Sequence, residues 1–206
     1  TTFRTFLPGG NLSERIDALG YSQKRAYDAG GRGFKTADTD ELGKIIRYEN
    51  DAGGQVLKTT YPDATTRSWQ RDVRGRVLAE TNELGETRST TRDAAGRVTA
   101  VRHPDGATEA MTYNPFGQML TRKDRAGAVT TLGYNTRGLR IGTTDALGHR
   151  TATAYDAQDR VASSTDARGN ATRYERDAAG RVTRTIFADG ATTTTAYDAY
   201  GQMTKN

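Results

Sequence analysis

The sequence has no cysteine among its 206 residues, which removes disulfides and thiolate metal sites from consideration. Apolar residues are scarce as well: 34% of the chain, with a mean hydropathy of −0.79, too little for one central core. No stretch approaches the roughly 20 consecutive apolar residues of a membrane-spanning helix. Thr1–Gly10 shows neither an initiator methionine nor a signal-like apolar segment, and both ends fall in mid-pattern, as expected of a slice of a longer polypeptide. The two histidines, His103 and His149, stand in turn regions far apart, without a companion that would complete the three or four ligands of a metal site. So low an apolar content would fit a disordered chain, but disorder requires few aromatic and β-branched residues, and here Tyr, Val and Thr recur in register.

Glycine is plentiful, 23 residues in all, and its spacing is regular. Gly75, Gly96 and Gly117 stand 21 residues apart, and the register continues through Gly138, Asp159, Gly180 and Gly201. Backwards it passes Gly54, then, after a two-residue insertion, Gly31 and Gly10. A fixed period near 20 residues signals a repeat architecture. In such a chain a recurring residue first serves the repeat, so a residue that breaks it is the better candidate for chemistry.

Each repeat holds two turn signals. One is Asp/Asn-x-x-Gly, as in Asp72–Gly75, Asp93–Gly96, Asn114–Gly117 and Asp177–Gly180. Its Asp or Asn accepts backbone N–H bonds, and its Gly takes the left-handed conformation that closes a type I turn with a bulge. The other lies ten residues on, as in Asp17–Gly20, Asn82–Gly85 and Asp145–Gly148, or as His103-Pro104-Asp105-Gly106. Between the signals lie six or seven residues of alternating character rich in β-branched side chains, which read as strands. A continuous helix is excluded by a glycine every 10 or 11 residues, each worth about 1 kcal/mol against helix.

The predicted unit is a β-hairpin, and the predicted fold class is all-β: tandem 21-residue hairpins over 1–206, paired antiparallel into a long sheet. Some twenty strands at about 4.8 Å would extend roughly 95 Å, and strand twist would coil a ribbon of that length. An aromatic column supports the register. Tyr27, Tyr113, Tyr134, Tyr155 and Tyr197 stand four residues before the turn glycine. Where Asn50, Arg71 or Arg176 takes that slot, a ring stands two residues earlier, at Tyr48, Trp69 or Tyr174, on the same strand face. Thr90 and Arg92 leave one gap. The insertion is even, so it preserves the facing pattern.

No residue qualifies as catalytic, cofactor-binding or metal-ligating. Asp28, Asp51, Asp72, Asp93, Asp156, Asp177 and Asp198 share one turn position, which accounts for them without an acid–base role. Arg32, Arg76, Arg97, Arg160 and Arg181 follow the turn glycine, and with a net charge of +5 they could form a phosphate-binding stripe. Each lies four residues from a turn Asp that can neutralise it, and nucleic acid is not expected as a partner. Ala64, Asp159 and the Gly138-Leu139-Arg140 segment break the repeat, and read as scattered drift.

The Tyr27-Asp28, Tyr155-Asp156 and Tyr197-Asp198 pairs, with a turn and in most repeats Gly-Arg-Val or Gly-Gln-Met after them, resemble the YD repeat over roughly Gly10 to Asn206. The chain is similar to the Rhs/YD-repeat family, whose members include bacterial Rhs toxins, Tc toxin C subunits and teneurins. That resemblance implies hairpins winding into a hollow shell that encloses a toxic C-terminal domain, with no enzyme activity and no cofactor in the wall. Implied partners are the rest of the shell in the same polypeptide, the enclosed toxin, a secretion spike, and immunity or chaperone proteins, with no nucleic acid and no membrane span. Synthesis in the bacterial cytoplasm followed by secretion or delivery, type VI secretion included, belongs to the same implication. No Asp-Pro dipeptide is present, so the self-cleaving aspartate motif of such shells has no counterpart here. The competing expectation is an adhesive cell-surface domain whose Tyr rings and Trp69 stack on carbohydrate. A third, a hydrolase, would need a cleft with perturbed carboxylates.

Overall fold

The computed structural model describes residues 2–204. Among them it contains strands and turns and no helix. The chain divides into two units, Thr1–Ala107 and Thr108–Asn206, built alike. In each, strands of mostly five or six residues, such as Val56–Thr60 and Thr66–Arg71 in the first or Met119–Lys123 and Val129–Tyr134 in the second, pair antiparallel with their sequence neighbours. Within each unit, among the described residues, extensive strand contacts join sequence neighbours alone. The tandem-hairpin architecture expected from the glycine period is therefore the one observed. At the end of the second unit Thr195 N–H donates to the Thr183 carbonyl, and Ala196–Tyr197 and Met203–Thr204 form a small sheet of their own.

The turns follow from Asp chemistry. Asp72 N–H donates to the Arg76 carbonyl (2.9 Å) and Gly75 N–H to the Asp72 carbonyl (2.8 Å). Asp72 Oδ1 accepts the N–H groups of Arg74 and Arg76 at 2.9 and 3.0 Å, so one carboxylate satisfies the donors the turn would leave open. The two-residue insertion lies inside a turn, where Asp28 N–H donates to the Phe34 carbonyl at 2.8 Å. The ladder beside it runs undisturbed from Lys24↔Thr39 to Ala26↔Ala37, so the facing pattern is kept because no strand was lengthened.

The two sides of each strand differ in pairing. Across the Asp/Asn turn of the aromatic column the ladder has four partners and a bulge beside the turn, as in Ser68↔Thr81 to Arg71↔Val77. Across the other turn it has three, as in Lys58↔Ser68 to Thr60↔Thr66. Neighbouring hairpins therefore part before their column ends meet.

There is no core in the ordinary sense. Among the described residues Val101 is the one buried apolar side chain and Thr59 the one buried polar residue, each 6% exposed. The accessible surface is 13853 Å², against about 9,400 Å² for a compact monomer of this mass. Each sheet face is covered mainly by its own side chains.

Two non-glycine residues adopt left-handed backbone, Ala64 (φ 66°) and Asp159 (φ 62°), at the two positions where the period calls for glycine. The glycines differ in surroundings. Gly85 has open space around a would-be Cβ, whereas a Cβ on Gly96 would overlap the Arg76 guanidinium. Gly85→Ala is expected to lose about 1–2 kcal/mol from left-handed strain alone, Gly96→Ala to lose more, and Ala64→Gly to be neutral or stabilising by up to about 1 kcal/mol. Urea melts check this ordering, and equal losses at Gly85 and Gly96 would contradict it.

Candidate functional site

The turn aspartates and the arginines after the glycine are joined. Arg76 Nε donates to Asp72 Oδ2 at 2.7 Å, Arg97 to Asp93 at 2.7 Å, Arg160 to Asp156 at 2.8 Å, Arg181 to Asp177 at 2.7 Å and Arg32 to Asp28 at 3.0 Å. The expected neutralisation of the arginine stripe is thus realised within each hairpin end. Partial desolvation disfavours the charged form of Asp72, but the Arg76 N–H and guanidinium and the Arg74 N–H outweigh it, and the carboxyl lies below its ordinary value. Asp93 and Asp177 shift the same way for the same reasons. At Asp156 the Arg160 N–H is the leading cause, and the direction is again downward. These carboxylates stay ionised and hydrogen-bonded, the opposite of what a general acid requires.

The aromatic column has a role that its sequence pattern did not reveal. Tyr27 donates its hydroxyl proton to the Leu12 carbonyl at 3.0 Å, Tyr155 to that of Arg140 at 2.9 Å and Tyr197 to that of Val182 at 3.0 Å. Each acceptor lies 15 residues earlier, at the start of the preceding repeat's strand, where the three-partner ladder has ended. The polar residues in the same slot do the same work. Asn50 Nδ2 donates to the Lys35 carbonyl at 2.8 Å, Arg71 Nη2 to Val56 at 3.4 Å and Arg176 Nη2 to Val161 at 3.0 Å. Arg71 and Arg176 also donate to the carbonyls of their own turn glycines, Gly75 at 3.0 Å and Gly180 at 3.2 Å. Arg92, where the column had a gap, reaches the Gly96 carbonyl at 3.2 Å. In these repeats the slot supplies a long donor, and a ring is one way to supply it.

The rings two residues earlier lie on the same face but serve otherwise. Tyr48 donates to Asp38 at 2.8 Å, and Lys35 pairs with Asp38 at 2.6 Å while its ammonium lies 4.8 Å from the Tyr48 ring centre. Burial first, then the hydrogen bond to Asp38 and the charge of that carboxylate, pushes the Tyr48 hydroxyl up to about 12.

One of the repeat-breaking positions, Asp159, is tied to the repeat before it. Arg137, just before Gly138, reaches the next column turn: its Nη1 lies 2.7 Å from Asp159 Oδ1 and donates to the Ala157 carbonyl at 3.1 Å, and Nη2 donates to the Asp156 carbonyl at 3.2 Å. Leu139 stands where other repeats have Arg or Gln, and Arg137 supplies the missing cation one residue pair earlier, to the turn that holds Asp in place of glycine. Ala64 stays apart. His149 Nδ1 lies 3.0 Å from Asp145 Oδ2 within its turn, and His103 N–H closes its own turn on Ala107. Among the described residues no three His, Cys, Asp or Glu side chains are grouped to hold a metal.

A sheet of successive hairpins, most of them closed by an Asp or Asn turn and many hooked to the one before by a side-chain donor, defines a β-hairpin repeat protein. The chain belongs to the RHS repeat family, whose model matches residues 71–108, 113–151, 155–192 and 177–205. Its fold is similar to a crystal structure of TcdB2-TccC3, with 16% identity and a TM-score of 0.51 over 98% of this chain and 15% of that one. It is also similar, at 15% identity and a TM-score of 0.45 over the same shares, to the Tc holotoxin pore of Photorhabdus luminescens. The chain spans 15% of the length of these solved chains. No curated protein matches it.

Because the turn aspartates titrate lower folded than unfolded, they stabilise the fold above the ordinary carboxyl pKa of about 3.9, and this stability is lost as pH falls through their lowered folded values. Thermal midpoints should hold from about pH 5 upward and drop below about pH 4, with a shallower acid drop in Asp93→Asn; an unchanged drop would contradict the pairing. Tyr27→Phe should lose about 1 kcal/mol with the bond to Leu12, while Tyr27→Arg should retain most of it. Denaturant midpoints of the two variants are the check, and equal losses would remove the donor role.

Proposed function

We propose that the chain is wall material of a toxin shell of the bacterial Rhs type, whose role is to contain a toxic C-terminal domain until delivery. The observation that carries this reading is a repeat sheet with almost nothing buried. Such a sheet leaves apolar side chains of both units half-covered, for example Val77, Val98, Met119 and Val182, and these gain cover from further wall or from cargo. Membership of the RHS repeat family and the fold shared with TcdB2-TccC3 support it.

In this reading the wall has no catalytic role, and the turn carboxylates are turn formers held ionised by their arginines. Its partners are the remainder of the shell in the same polypeptide and the enclosed toxin, with spike, immunity or chaperone proteins acting at delivery, and its route is out of the bacterial cytoplasm, by type VI secretion or a related path. The adhesive alternative is less well supported, since Tyr27, Tyr155 and Tyr197 commit their hydroxyls to the preceding repeat rather than presenting free rings.

A polypeptide carrying this segment should yield a downstream domain that resists protease while attached and becomes toxic when expressed alone. A downstream domain cut as readily inside the parent as outside it would contradict containment.

A further inference from the structure

The turn edge opposite the tyrosine column in the first unit is both apolar and acidic. At the turns within 40–44, 61–65 and 82–86 it carries Asp40, Glu41, Asp63, Glu83 and Glu86 against Lys44. Two of the glutamates are bonded by neutral groups, Glu41 by Gln23 Nε2 at 3.0 Å and Glu86 by Asn82 Nδ2 at 2.8 Å, while Arg67 acts on Glu83 through its charge. Between them Leu42 is 78% and Leu84 82% exposed, with Pro62 in an open concavity that Leu84 also lines. The leucines are held outward, since Leu42 N–H donates to Asp40 Oδ1 at 2.9 Å and Leu84 N–H to Asn82 Oδ1 at 3.0 Å.

The sheet of the same unit has the opposite charge. Arg47 and Arg102 lie on one face, linked through Arg47↔Thr60, Thr60↔Thr66, Ser68↔Thr81, Ala79↔Ser89 and Ser89↔Arg102. Both are exposed, and neither belongs to an ion pair among the described residues. Equivalent positions of successive hairpins recur at about 9.6 Å on edge and face alike. Arg47 and Arg102 stand five strands apart, about 24 Å, with Thr60, Ser68, Ala79 and Ser89 between them, and the leucine turns stand four strands apart, about 19 Å, so a second copy offers cations among small side chains on the scale of the edge.

We infer that the leucine-bearing acidic edge of the first unit docks onto the basic sheet face of a second copy of the chain. Apolar contact comes from Leu42, Pro62 and Leu84, and charge complementarity sets which surface they meet. An edge meeting a face is a heterologous contact, so association does not close at a dimer but continues as a concentration-dependent series. The inference stands apart from the containment role, which a failure to associate would leave intact.

Sedimentation velocity of the whole chain tests it, from about 5 to about 100 µM, a span suited to weak interfaces. The expected result is a sedimentation coefficient that rises with concentration, with association weakened about tenfold between about 0.05 and about 0.5 M salt. Leu42→Asn with Leu84→Asn should weaken it at least about tenfold, and Arg47→Gln with Arg102→Gln comparably. Leu147→Asn, at the same turn position in the second unit and 81% exposed, should behave as the parent; all these positions are exposed, and circular dichroism confirms the fold of each variant. A chain monomeric throughout, association indifferent to salt or to the leucine pair, or an equal loss in Leu147→Asn would overturn the inference.

Discussion

Where one hairpin of this chain passes to the next, the backbone ladder stops short and leaves a carbonyl without an amide. The rest of the repeat is arranged around that carbonyl. In repeats of both units a side chain 15 residues later reaches it, leaving the strand just before a turn that fixes its direction. Tyr27, Asn50, Arg71, Tyr155, Arg176 and Tyr197 have in common a donor at the end of a long side chain. A buried or half-buried carbonyl left unpaired is costly, which gives the slot its chemistry.

Because the bond runs from each repeat to the one before, it also carries the cohesion that a core would otherwise supply. Stability in such an array is a sum of hairpin terms and nearest-neighbour terms. The hairpin term rests on the turn carboxylate, which accepts two backbone N–H groups and one guanidinium. The neighbour term rests on three ladder pairs, the column bond and, where the repeat is broken, an added clamp. Arg137 on Asp159 is that clamp, tying the turn that holds Asp in a left-handed conformation to the repeat before it.

Much of this was legible in the sequence, for a physical reason: turn chemistry is local. Asp or Asn followed three residues later by glycine specifies a turn whatever surrounds it, so hairpin length, strand positions and the left-handed Ala64 and Asp159 could be placed from spacing alone. The pairing of Arg76 with Asp72 was equally accessible, since both lie in one turn. The job of the column was not, because rings recurring on one face have the same pattern whether they pack or donate. Arg71 and Arg176 looked like interruptions when judged as apolar positions and fit when judged as donors. The Arg137–Asp159 contact was missed because it joins different repeats, and its one signal was the Asp in place of glycine at 159. The half-covered faces that motivate the containment proposal could be read from composition, but what covers them could not.

Membership of the RHS repeat family and a sheet with almost no buried side chains are two sides of one arrangement, in which hydrogen bonds between repeats replace an apolar interior. The heat-capacity increment of unfolding, measured by scanning calorimetry, tests that replacement most directly, since it reports the apolar surface exposed on unfolding. A chain of this length with an ordinary core would give about 2.5–3 kcal/mol/K. A value well below that range is expected here, and a value within it would contradict a fold held together by its turns, ladders and column donors.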